Sequence, residues 1–261
     1  MPIQFHSKVV NEAAESTILF LHGFMGSCHD WDEVTGYLTD FRCVSLDLPG
    51  HGRTTTGDRR SLSFEGCAKE IIRFMDDNRM DKTDIIGYSM GGRLALYLTI
   101  AYPDRFDRTL VESASAGLPT ESERSQRRKQ DEQLAVRLEL GGVARFVREW
   151  YNQPLFESSR SDPVKLEKLV EKRCKNDQTS LIRSLQSMGL GCQPSLWERL
   201  SEIRQPLLLI VGELDSKFCQ IADQIAQRCQ TAMVSAVSNC GHNVHWEDPL
   251  AFANRVQSFL A

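Results

Sequence analysis

An apolar run from Thr83 to Ile86 ends in Gly87-Tyr88-Ser89-Met90-Gly91, and Arg93 to Ala101 then reads as a helix. A G-x-S-x-G motif between a buried strand and a helix is a nucleophile elbow: the chain turns so sharply that the serine sits at the tip in strained backbone. Gly87 and Gly91 suit such a turn, because a Cβ at either would collide with the neighbouring strand or helix. Ser89 Oγ would then stand above the carboxyl end of a sheet, where open α/β sheets bind ligands. The helix N-terminus beneath it favours developing negative charge. A serine between two glycines is more often an ordinary tight turn, so the elbow stands only if the chain also supplies a base, an acid and an oxyanion hole.

Those parts can be read elsewhere in the chain. Thr17 to Leu21 is a continuous apolar run, as a strand covered on both faces requires, and it ends in His22-Gly23-Phe24-Met25-Gly26-Ser27. A strand followed by His-Gly and an apolar residue is where an α/β-hydrolase fold places half of its oxyanion hole. The donors would be the backbone N–H groups of Phe24 and of Met90, the residue after the serine. Asp215 follows an apolar strand, Pro206 to Gly212, and His242 follows the last strand, Thr231 to Val237. The chain order Ser89, Asp215, His242 is that of the α/β-hydrolase fold. Serine is a poor base or nucleophile until another group takes its proton, and an imidazole titrating near neutrality can do so. Asp215 would fix its tautomer. His22, His51 and His245 compete as bases and Glu213 competes with Asp215; position after the last strand favours His242.

The rest of the pattern fits an α/β class with a mostly parallel, doubly wound sheet. Residues 3 to 10 read as an edge strand, 30 to 37 as a short helix with Trp31 facing inward, 41 to 46 as a strand and 106 to 112 as another. Between them, Ser63 to Met80 reads as an amphipathic helix capped by Ser63. The loop Asp47-Leu48-Pro49-Gly50-His51-Gly52 should shape the pocket floor, with His51 ordering the loop rather than catalysing. Residues 118 to 200 contain no convincing strand. They read as three to five helices, broken at Gly141-Gly142, Pro154, Pro163 and Gly189, and form a lid inserted into a core of residues 1–117 and 201–261. Ile221 to Gln227 and Pro249 to Leu260 read as helices of that core.

Composition narrows the function classes. The 261 residues suffice for one large α/β domain with an insertion, and the net charge of -4 argues against a nucleic-acid partner held by bulk charge. No apolar run approaches the ~20 residues of a membrane span. The N-terminus lacks the charged start and apolar core of a signal peptide, so a cytoplasmic location is expected, or an organelle if a transit segment has been removed. Eight scattered cysteines without C-x-x-C spacing are expected to be free thiols. His242 and His245 lack an H-E-x-x-H context, so neither metal nor cofactor is expected. The partner should be a small molecule; monomer and homo-oligomer both stay open.

Four segments carry a narrower resemblance. Gly87 to Arg93 places an arginine four residues past the serine; Glu149-Trp150-Tyr151-Asn152-Gln153-Pro154-Leu155-Phe156 lies in the lid; Gly212-Glu213-Leu214-Asp215-Ser216-Lys217-Phe218 carries the acid; Gly241-His242-Asn243-Val244-His245 carries the histidine. With these, nearly the whole chain resembles the 2-succinyl-6-hydroxy-2,4-cyclohexadiene-1-carboxylate synthase family, α/β-hydrolase-fold enzymes of menaquinone and phylloquinone biosynthesis. The resemblance implies a lyase that eliminates pyruvate from an enolpyruvyl cyclohexene carboxylate bearing a succinyl arm. Ser89, with His242 and Asp215, would remove a ring proton α to the succinyl ketone, and the N–H groups of Phe24 and Met90 would hold the enolate.

Such a polycarboxylate needs fixed cations, and arginine binds carboxylates in a bidentate fork. Arg93 shares the helix face of Ser89. By the family's spacing, Arg127 and Arg173 are carboxylate clamps, with Arg128 the alternative to Arg127. Trp150 would form a pocket wall, Tyr88 would bring a hydroxyl near the leaving group, and Gln193 and Lys217 are weaker substrate-binding candidates. The rivals are a serine hydrolase of an ester or carbon–carbon bond, which would need an acyl-enzyme, and a non-catalytic ligand receptor on the same fold. A buried Arg93 would gain a hydrolase of neutral esters little, and an intact triad would serve no receptor.

Overall fold

The computed structural model describes residues 3–55 and 62–261. Seven strands, β1 (Ser7–Val10), β2 (Thr17–Leu21), β3 (Arg42–Leu46), β4 (Thr83–Tyr88), β5 (Phe106–Glu112), β6 (Leu207–Gly212) and β7 (Ala232–Val237), form one sheet in the order β1-β3-β2-β4-β5-β6-β7. β1 runs antiparallel to β3, and every other neighbour is parallel. β4 and β6 are buried along their whole length, which explains why their sequences run apolar rather than alternating.

The helices are α1 (Asp32–Thr35), α2 (Phe64–Asp77), α3 (Met90–Ala101), α4 (Glu121–Tyr151), α5 (Pro163–Arg173), α6 (Gln178–Met188), α7 (Ser216–Ala226), α8 (Val244–Glu247) and α9 (Pro249–Leu260). One apolar layer joins the sheet to α2, α3 and α7 through residues such as Ile71, Leu94 and Ile225. The other joins it to α1 and α9 through Trp31, Val34 and Phe252. Between β5 and β6 the described residues hold only helical elements, α4, α5, α6 and short 3-10 turns. They have a separate apolar cluster around Leu138, Phe146, Phe156 and Leu181, into which Met25 of the core also packs.

Several boundaries differ from expectation for local reasons. The helix after the elbow begins at Met90, not Arg93, because Ser89 itself makes the turn. α7 begins at Ser216, five residues before the expected start, because the Asp215 carboxylate caps it by accepting the Phe218 N–H. The expected edge strand over residues 3 to 10 pairs only from Ser7. The expected break at Gly141-Gly142 is present: Gly142 takes φ 74° and ψ 165°, outside the helical region, so α4 is two helical segments joined at a kink. Ser63 caps α2 as expected, accepting the Gly66 N–H at 3.1 Å. All eight cysteines are unpaired. Among the described residues, no helix is long and apolar enough to cross a membrane.

Candidate active site

The elbow is built by close backbone approach. A Cβ on Gly87 would lie 2.3 Å from the Gly91 carbonyl oxygen, and one on Gly91 would lie 2.2 Å from that of Leu21, so neither position tolerates a side chain. Ser89 adopts φ 48° and ψ -105°, strained for a residue with a Cβ. Its N–H donates to the Glu112 carbonyl at 2.8 Å, which fixes the strained residue to the end of the adjacent strand.

His242 Nε2 stands 3.3 Å from Ser89 Oγ, and His242 Nδ1 stands 2.8 Å from Asp215 Oδ2. The Asp215 carboxylate therefore serves two groups at once, the imidazole and the N-terminus of α7. Phe218, Tyr88 and Phe156 pack around the His242 ring, with centroids 4.6, 5.5 and 5.8 Å away. The histidine-bearing loop is held from below as well. Glu247 accepts the Gly241 N–H at 2.7 Å and the hydroxyls of Ser158 and Ser159 at 2.9 and 3.1 Å, joining this loop to the helical insertion.

The turn after β2 is set by two imidazoles. His22 donates from Nδ1 to the Gly23 carbonyl at 2.7 Å and accepts the Leu48 N–H at Nε2 at 2.9 Å. His51 donates from Nδ1 to the Pro49 carbonyl at 3.1 Å and accepts the Met25 N–H at Nε2 at 3.0 Å. Each ring needs one bare nitrogen, so each must stay neutral to make both bonds. Burial, with the neighbouring His22, pushes His51 down to about 3, and burial also lowers His22.

A stability prediction follows from the sign of these shifts. Below the ordinary histidine value of 6.5 the unfolded chain gains a proton that folded His51 refuses until about 3, so stability falls as pH falls through that window. The expected slope is about 1.4 kcal/mol per pH unit from His51, with His22 adding in the same direction. Urea midpoints measured between about pH 7 and pH 5 should fall less steeply in His51→Asn than in the unaltered protein. Equal slopes would show that His51 does not carry the effect.

A cavity of about 790 Å³ opens above the triad. Among the expected site residues, Phe24, Ser89, Met90, Arg93, Arg127, Trp150, Asp215, Lys217 and His242 line it. Arg93 is half-buried and donates to the Gln193 side chain at 3.1 Å and the Met188 carbonyl at 3.0 Å. Burial and the like charge of Arg127 lower it to about 10, so it keeps its charge at neutral pH. Arg127 donates from Nε to Asp131 at 2.7 Å. Arg128 turns away, to the Gly191 carbonyl and to Glu121, and is not among the cavity-lining residues, whereas Arg127 is.

Three expected substrate contacts are not among the cavity-lining residues. Arg173, expected as a carboxylate clamp, is buried in a bidentate pair with Asp30, at 2.7 Å to each oxygen, and donates to the Tyr151 hydroxyl at 3.2 Å. Burial works against its charge, but Asp30 and Tyr151 outweigh it and raise its pKa, while Arg173 in turn holds the Asp30 carboxyl low. Its guanidinium already has a carboxylate partner inside the protein. Gln193 is fully buried and acts as an acceptor for Arg93, and the buried Tyr88 ring lies under the loop, between His242 and His245.

Sequence reasoning overlooked Asp131, a buried acid four residues past Arg127 whose i, i+4 spacing on one helix was the available signal. It also overlooked Glu112, a charge that ends an apolar strand. Among the described residues, one group of metal-type donors comes together away from the cavity: His6, Cys28 and Asp47. Asp47 already accepts the Cys28 N–H at 2.7 Å, the Arg53 N–H at 2.8 Å and the His6 ring at 2.8 Å, and burial pushes the Cys28 thiol up to about 12. Such saturated ligands suit a loop lock better than a metal.

Comparison with known proteins places this arrangement. A family model described as alpha/beta hydrolase fold matches residues 16–249. The "Putative 2-succinyl-6-hydroxy-2,4-cyclohexadiene-1-carboxylate synthase" of Bacillus subtilis (strain 168) is 37% identical over 252 residues, covering 95% of this chain and 91% of that protein. "Protein PHYLLO, chloroplastic" of Arabidopsis thaliana is 32% identical over 96% of this chain, which spans only 16% of that longer protein. Among solved structures, MenH from S. aureus superposes with a TM-score of 0.93 at 31% identity, covering 98% of this chain and 97% of that one.

Proposed function

The chain belongs to the α/β-hydrolase-fold family of 2-succinyl-6-hydroxy-2,4-cyclohexadiene-1-carboxylate synthases, and from that premise we propose that it eliminates pyruvate from 2-succinyl-5-enolpyruvyl-6-hydroxy-3-cyclohexene-1-carboxylate in menaquinone or phylloquinone biosynthesis. The observation that best supports this reading is a serine–histidine–aspartate line beneath a cavity that also holds the cations Arg93, Arg127 and Lys217.

The reaction is a 1,4-elimination. His242 Nε2 takes the Ser89 hydroxyl proton, and Ser89 Oγ takes the ring proton α to the succinyl ketone. The freed electron pair forms a double bond to the next ring carbon. The existing ring double bond shifts by one position, and the carbon–oxygen bond to the enolpyruvyl group breaks. Charge that accumulates on the ketone oxygen is met by the N–H groups of Phe24 and Met90. Met90 is the first residue of α3, so its N–H has no partner within the helix. The departing enolate recovers a proton and becomes pyruvate. Asp215 keeps the imidazole in the tautomer that leaves Nε2 free to accept.

Arg93 and Arg127 bind carboxylates at the elbow end of the cavity, and Lys217 serves the acid-loop end. Trp150 forms a wall. The direct test combines purified protein with the enolpyruvyl substrate and follows pyruvate and the diene absorbance together. Matched appearance of both, faster than the spontaneous reaction, supports the proposal; no acceleration sinks it. Arg93→Met should lower kcat/KM about tenfold to a hundredfold, the loss expected from one charge-assisted contact of about 1.5–3 kcal/mol. An unchanged kcat/KM would remove Arg93 from substrate binding.

A further inference from the structure

Below the triad lies a second carboxylate–histidine pair that the proposed reaction does not use. Glu112, fully buried at the end of β5, accepts the His245 backbone N–H at 3.0 Å and pairs with His245 Nδ1 at 2.6 Å. Trp31 stacks on the His245 ring at 4.3 Å, and Tyr88 meets it edge-on at 4.8 Å. With both carboxylate oxygens engaged and the rings of Trp31, Tyr88 and Phe252 around it, the imidazole has a fixed plane and position.

Glu112 also touches the nucleophile. In the β4–β5 ladder it stands opposite Tyr88, and its carbonyl accepts the N–H of Ser89 at 2.8 Å. One residue thus holds the elbow by its main chain and the histidine-bearing loop by its side chain. His245 follows His242 by only three residues, in the first turn of the short helix α8. A shift of His245 would therefore carry His242 with it. The gap from His242 Nε2 to Ser89 Oγ, 3.3 Å, is at the long end for such a bond and sensitive to small displacements.

We infer that Glu112 and His245 form a positioning pair that sets the Ser89–His242 separation. The inference rests on Ser89 and His242 working together, and it needs no particular substrate. It is tested by the rate at which a fluorophosphonate labels Ser89, read beside kcat and KM for pyruvate release. His245→Leu keeps much of the ring's bulk but removes the Nδ1 donor; it should slow labelling and lower kcat about tenfold or more, with KM within about twofold. His245→Asn places an amide nitrogen near the position of Nδ1, and it should bring both rates back to within about threefold of the unaltered protein. Rescue by asparagine would not occur if His245 merely filled space.

A folded His245→Leu that labels at the unaltered rate would overturn the inference. If that variant does not fold, Glu112→Gln decides, since it keeps the volume and the backbone acceptor. The expected result there is labelling slowed about threefold to tenfold, and unaltered labelling would overturn the pair. Protein that labels normally but releases no pyruvate would refute the lyase reading and leave this one standing.

Discussion

Ser89→Ala is expected to lower kcat for pyruvate release by about three to four powers of ten, with KM changed by no more than about threefold. In the proposed mechanism alanine removes the group that accepts the ring proton but leaves the cavity's cations, the Phe24 and Met90 N–H groups and His242 in place. Substrate should therefore bind nearly as well and fail to react. The fold should survive, because the elbow is fixed by Gly87, Gly91 and the Ser89 N–H rather than by the hydroxyl. Single-turnover measurement of diene absorbance, with thermal melting as a control, separates these effects. A loss of less than about tenfold would mean that His242 takes the ring proton directly and that Ser89 is a bystander.

Arg173→Met is expected to destabilise the protein by about 3–5 kcal/mol, because it strands the buried Asp30 carboxylate without a counter-charge. For a chain of this size that corresponds to a fall of about 10 °C in Tm. The double variant Arg173→Met with Asp30→Asn should recover part of the loss, since removing both charges costs less than removing one. If Arg173 were instead a substrate clamp, the single variant would melt near the unaltered temperature and raise KM. The two measurements, melting temperature and KM, thus separate an internal ion pair from a binding role at a position where the family's spacing alone favoured binding.

The sheet and the triad were legible in the sequence because both are local signals. A run such as Leu207 to Val211 must be covered on both faces, and the G-x-S-x-G, acid and histidine motifs each follow a strand end. Where the cations point was much less legible. Arg127 and Arg128 are neighbours in one helix, and only the packing of α4 against Gly191 decides that Arg127 faces the cavity and Arg128 does not. Arg173 could not be separated from the other arginines because its partner, Asp30, lies 143 residues away. The start of α7 is hidden in the sequence for a different reason: Asp215 stands where a strand-end acid is expected, and the same carboxylate also caps the helix.

Glu247 bonds to Ser158 and Ser159, Arg173 to Asp30, Asn176 to the Met25 carbonyl, and Lys165 to the Trp246 carbonyl. Each of these links joins the helices between β5 and β6 to the core that carries the triad. The insertion is thus not an interchangeable module. A chimera that grafted a foreign helical segment onto this core could match apolar faces and still leave the Glu247 carboxylate short of two donors and the buried Asp30 without a cation. Recombination within this fold is therefore expected to succeed where crossover points carry both sides of these links together. Divergence of substrate preference would proceed more readily by substitutions within the insertion than by its wholesale replacement.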